Sequence, residues 1–183
     1  MGQRHRPSKN RVADVATDRE WADAFLAQAR ADLEAADAVA ASGVAASSLA
    51  MLLQMMFEKL AKAALLRTRS AALEDVTSTH GTARRVLLVL RRERRRFEPL
   101  GGAKAWEDVI WIIEELERSH PQLARGKADA KLEYPWETTA GGIQWPERDL
   151  PVAKHLGNPR SNLKTRVTKF ADHFASRFDQ LFP

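Results

Sequence analysis

The sequence predicts an all-α protein: an antiparallel bundle of about five helices, with a Trp/Pro-rich irregular insertion before the last one. Three observations predict it. Residues 47–67 (SSLAMLLQMMFEKLAKAALLR) are apolar on nearly every azimuth, as a helix enclosed by other helices must be. Ala22, Leu26, Ala29, Leu33, Ala36 and Ala40 recur at steps of four and three, a seam of period 3.5 that lays one helix along another. Similar spacing returns near the end in Leu163, Val167, Phe170, Phe174, Phe178 and Leu181.

A chain of 183 residues suits one domain and is long enough to bury most of its apolar surface. Hydrophobic residues make up 44% and charged residues 29%, the balance of an ordinary globular protein. There is no cysteine, which excludes disulfides, thiolate chemistry and cysteine-ligated zinc. The cytoplasm is the expected compartment. Residues 1–16 read as a flexible basic tail ahead of a single domain, 17–183. The start, GQRHRPSKNR, has no apolar segment behind it, so no secretory signal is expected. The uncharged run of the central helix falls short of the ~20 residues a bilayer requires, so no membrane partner is expected either. A net charge of +5 and a pI near 9.8 favour an anionic partner, nucleic acid before membrane. The excess of arginine over lysine has two readings, a GC-rich genome or phosphate recognition by the guanidinium fork.

Taken in order, Thr17 and Glu20 have capping-box spacing and open a first helix running to about Ala41, which Ser42-Gly43 ends. The second helix runs back along it, about Ser47 to Arg67. Gln54, Glu58 and Lys62 form one narrow polar line there, with Lys59 beside it; Glu58 and Lys62 stand in the favoured order for an i,i+4 pair. Residues 68–81 read as a connection. A third helix follows from Ala83 to about Phe97, broken by Pro99 and Gly101-Gly102. A fourth runs from about Ala103 to Ser119 on the stripe Trp106, Val109, Ile110, Ile113, Leu116, stopped by Pro121. From 126 to 157 prolines and glycines crowd among Tyr134, Trp136 and Trp145. That is too long for a passive loop, so an ordered flap is expected, with a hairpin turning at Ala140-Gly141-Gly142. Asn158-Pro159 reads as the cap and first residue of a last helix ending near Leu181.

Two groups carry candidate chemistry. Seven arginines lie between residues 84 and 96 against one acid, Glu93. Arg91, Arg92, Arg94, Arg95 and Arg96, with Lys169 and Arg177 on the last helix, could contact phosphates with salt-dependent affinity. The bland alternative is a helix end whose cations suit the macrodipole and pair across the hairpin, Glu107 and Asp108 near Arg94, Arg95 and Arg96, and Glu114, Glu115 and Glu117 near Arg84 and Arg85. The second group is Arg166 and His173, seven residues apart on one side of the last helix. Such a pair could serve metal-free RNA cleavage, the imidazole taking the 2′-OH proton and the guanidinium stabilising the pentacovalent phosphate. Arg148 and His155 share the spacing, so chance explains it as readily; the alternative is a solvated basic face. His80 reads as a ligand or base, or as a hydrogen-bonding partner near a helix end. Met51, Met55 and Met56 read as core or subunit interface. Tyr134, Trp136 and Trp145 could stack on bases, or pack the flap. No Gly-rich phosphate loop, metal-ligand spacing or nucleophile elbow is present, so no metal and no cofactor is expected.

The second-helix residues Gln54, Glu58, Lys59, Lys62 and Ala63 match the Gln-x-x-x-Glu-Lys-x-x-Lys-Ala pattern of the HEPN superfamily position by position. Trp21 with Asp32-Leu33-Glu34-Ala35-Ala36, Thr79-His80 and Glu133-Tyr134-Pro135 are similar to other stretches of that family, so the likeness spans about residues 20–182. The resemblance implies an all-α bundle, often a homodimer. Family members act as metal-independent endoribonuclease toxins, as partners of small nucleotidyltransferase antitoxins, or as RNA- and nucleotide-binding modules in defence. Nuclease members carry Arg-x(4–6)-His, a length that Arg166 and His173 fit. The expectation is a helical module binding RNA, nucleotide or a toxin–antitoxin partner. Its alternatives are an endoribonuclease using Arg166 and His173, and a structural dimerisation protein.

Overall fold

A computed structural model of the chain describes residues 16–43, 45–92, 103–119, 134–138 and 140–183. Among them are five long helices, as expected, and four short ones. They are α1 (Asp18–Ser42), α2 (Ala46–Arg67), α3 (Leu73–Ser78), α4 (Thr82–Arg92), α5 (Ala103–Arg118), α6 (Pro146–Asp149), α7 (Pro151–Gly157), α8 (Leu163–Ser176) and α9 (Phe178–Leu181). One antiparallel ribbon pairs β1 (Trp136–Glu137) with β2 (Ile143–Gln144). No described helix is long and apolar enough to cross a membrane.

The capping box forms as its spacing requires. Thr17 Oγ1 accepts from the Glu20 amide at 3.3 Å, and Glu20 Oε2 accepts from the Thr17 amide at 2.7 Å. Gly43 ends α1 at φ 68°, a left-handed conformation that costs a residue without Cβ little. The chain then reverses. Asp23 meets Arg67, Phe25 meets Lys62 and Asp32 meets Lys59, so partners descend α2 as they climb α1. Ala22, Leu26, Ala29, Leu33 and Ala36 are buried along this seam.

α2 is the central element, packing on α1, α3, α4, α5, α6 and α7. Leu53, Met56 and Leu60 are fully buried and Phe57 nearly so. Phe57 adjoins Phe170 of α8, whose ring meets Trp106 of α5 edge to face at 4.9 Å. The α5 stripe Trp106, Val109, Ile110, Ile113 and Leu116 is buried, as are Leu163, Val167, Phe170, Phe174 and Phe178 on the last segment.

Three expectations need correction. The stretch 68–81 is not only a connection, because it holds α3. Val76, buried with Ala22 and Leu66, anchors that six-residue helix, which is too short to show a period. The insertion turns at Gly141 and Gly142, as expected, but it also contains α6 and α7. Pro146 and Pro151 do not interrupt helices there; they start them, at the first position, where a missing N–H costs nothing. The last helix begins at Leu163, not at Pro159. Asn158 Oδ1 accepts from the Arg160 amide at 2.9 Å, closing a tight turn in place of a cap, and a break at Arg177 splits off α9.

Candidate nucleic-acid interface

The residues matching the HEPN pattern are drawn together, and each of their charges is answered. Glu58 Oε1 accepts from Lys62 Nζ at 2.8 Å and lies 3.2 Å from His80 Nδ1 in the turn before α4. Lys62 retains 8% of its side-chain exposure and also lies over the Phe25 ring. Lys59 forms an ion pair with Asp32 of α1, and Gln28 Nε2 donates to the same carboxylate at 3.1 Å. This polar line therefore ties α1, α2 and the entrance to α4 to one another.

Arg166 and His173 share α8, about 10 Å apart along its axis at the standard rise. The Arg166 guanidinium is bonded to Asp108 of α5, a carboxylate that keeps only 9% exposure. Lys104 takes the other oxygen of Asp108 at 2.9 Å. His173 is half-buried, and its backbone carbonyl accepts from Ser176 Oγ and the Arg177 amide. Lys169 is exposed and Arg177 half-buried on the same segment. Arg91 is half-buried on α4; Arg94, Arg95 and Arg96 lie outside the described residues, as does the Arg92 side chain.

The cleft between α4 and α5 has a different character. Gly81, Arg84, Arg85, Leu88 and Val89 line it from the α4 side and Glu117 from α5, around about 380 Å³. Arg84 Nε donates to Glu114 at 2.7 Å, the cross-hairpin pairing expected of these helices, and its amide donates to Glu117 Oε1 at 3.2 Å. Glu115 pairs instead with Arg118 of its own helix. Among the described residues Arg85 has no carboxylate within ion-pairing distance. Burial pushes the Glu117 carboxyl above its ordinary range, aided by repulsion from Glu114 and Glu58 and opposed by the Arg84 amide and charge. Behind the cleft, sharing Gly81 and Glu117 with it, is a recess of about 10 Å³ reaching Gln54 and Glu58, room for one water.

No protein-family model, curated protein or solved structure matches this chain.

Of the aromatic residues in the insertion, Trp136 is core, whereas Tyr134 and Trp145 are exposed. The Trp145 ring already carries the Arg148 guanidinium at 3.5 Å. Met56 is core, Met51 half-buried and Met55 exposed. Two carboxylates take places that no local pattern announces. Glu117, expected only as a partner for α4 arginines, lines a cleft because α4 and α5 approach each other there. Glu147 accepts from the Ala46 and Ser47 amides at 3.0 and 2.7 Å, capping α2 from a hundred residues away. The only local signal was the lack of a capping side chain at Ala45. No metal-binding group of three or more acidic or histidine side chains occurs among the described residues.

Proposed function

We propose that this chain is a HEPN-like helical module that binds RNA along the basic edge of α4 and its cleft with α5. The observation that carries the reading is Arg85, an exposed guanidinium beside a cleft and unmatched by any described carboxylate. Arg84 stands next to it with nearly half its side chain exposed, and Arg91 lies two turns further along the helix. Cations so placed neutralise phosphates and make affinity fall with salt. The buried α2 with its Gln54, Glu58, Lys59 and Lys62 pattern supports the family part of the proposal. Cleavage by Arg166 and His173 has weaker support, since that guanidinium already serves Asp108.

The test is fluorescence anisotropy with labelled single-stranded RNA. Arg85→Ala is expected to weaken binding about fivefold to tenfold and to flatten the salt dependence by about one counterion. Failure of the parent protein to bind at low salt would sink the proposal. Incubation with total RNA in EDTA separates the nuclease reading: cleavage abolished by His173→Ala but retained in His155→Ala would install it instead. Light scattering on the same samples checks the homodimer that the HEPN likeness implies.

A further inference from the structure

The α4–α5 cleft is not a plain anion site. Its lining combines three chemistries: the guanidinium groups of Arg84 and Arg85, the apolar side chains of Leu88 and Val89, and the carboxylate of Glu117. Val89 keeps 54% of its exposure, leaving an apolar surface beside the arginines open to a flat ligand. A bare phosphate would meet repulsion from Glu117, and a cationic peptide would meet it from the arginines. An acidic peptide would bring its own carboxylates against Glu117. The ligand that answers all three has an apolar flat body, an anionic group and an edge of N–H donors, which describes a nucleobase with its phosphate. The volume, about 380 Å³, lies within the range of small-molecule sites, roughly 300–1,000 Å³.

The donor edge selects among bases. Guanine presents N1–H and the N2 amino group side by side on its Watson–Crick edge, two donors matched to the two oxygens of one carboxylate. Adenine, cytosine and uracil each present a single donor group there, next to an acceptor that a carboxylate repels. Only an unpaired base exposes that edge, and single-stranded RNA is where proteins usually read it. Glu117 is preset for the role. The Arg84 amide holds Oε1 at 3.2 Å and fixes the carboxylate's orientation, while the recess behind it admits no more than a water.

We propose that this cleft is a guanine-reading pocket for single-stranded RNA. Glu117 accepts N1–H and N2–H, Leu88 and Val89 contact the base, and Arg85 holds its phosphate. The inference rests on the RNA-binding reading above. The experiment separates the two.

Anisotropy is measured with short labelled uridine oligomers carrying one central guanosine, adenosine or cytidine, or none, at a single salt concentration. The guanosine oligomer is expected to bind roughly 5- to 100-fold more tightly than the other three, the discrimination of one good bidentate base contact. Glu117→Gln, checked for folding by circular dichroism, erases that preference, the guanosine oligomer then binding no more tightly than the uridine-only one. Arg85→Ala weakens all four alike. Competition by guanosine monophosphate but not adenosine monophosphate gives the same reading without mutation. Equal affinity for the four oligomers, or a guanine preference that survives Glu117→Gln, overturns the pocket and leaves RNA binding standing. No binding by any oligomer removes both.

Discussion

The polar line of α2 and the edge of α4 carry similar charges on neighbouring helices, yet they use them in opposite ways. On α2, Glu58 answers Lys62 and His80, and Asp32 answers Lys59, with most of these groups half-buried or buried. Each charge there holds another in place, and changing one leaves a cation stranded away from water. On α4, Glu114 answers Arg84, but Arg85 faces the cleft without a described counter-ion. Arg166 belongs with α2 in this respect, despite its distance from it, because Asp108 claims its guanidinium. A cation's surplus over its local carboxylates, not its residue type, marks where a ligand can act.

Four substitutions break or sharpen this contrast. Glu58→Ala has the largest expected effect on stability, about 3 kcal/mol, because it leaves Lys62 buried beside Phe25 with no counter-ion. Urea unfolding measures it, and a loss below that of an ordinary surface substitution would show α2's line to be ornamental. Asp108→Asn comes next. It costs about 1–2 kcal/mol, reduced from the buried-pair value because Arg166 and Lys104 both reach solvent. RNA affinity stays unchanged if Arg166 is structural; a loss of affinity in a stably folded variant would return α8 to the interface.

The smallest effects distinguish two carboxylates by pH. Burial raises the Glu147 carboxyl, but the Ser47 and Ala46 amides and the Ser47 hydroxyl outweigh it, so the group sits below its ordinary 4.5. Its contribution is present above 4.5 and is lost as pH falls through the depressed value. Glu117 sits above 4.5, so its contribution is present below that value and is lost as pH rises through the raised one. Glu147→Gln should therefore cost more as pH rises from about 3 to 7, approaching the ~1 kcal/mol of a lost helix cap. Glu117→Gln should gain relative to the parent over part of the same interval. Thermal melts across that range check both slopes, and parallel slopes would contradict the assigned environments.

How much was legible follows from the range of each interaction. The capping box at Thr17, the Gly43 stop, the α1–α2 seam and the apolar stripes of α5 and α8 are local patterns, written within one or two helical turns. Sequence alone determined them, and with them the all-α bundle and the hairpin turn at Gly141-Gly142. Prolines misled where a loop breaker and a helix starter look alike, at Pro146 and Pro151. What only the tertiary structure decided are pairings between residues far apart in the chain. Asp108 takes up Arg166 from 58 residues away, and Glu147 caps α2 across 101 residues. Glu117 and the α4 arginines meet across two helices to form a cleft that neither sequence segment announces. A charge's partner depends on which surfaces the packed core brings within a few ångströms, and that distance is a property of the fold, not of the spacing along the chain.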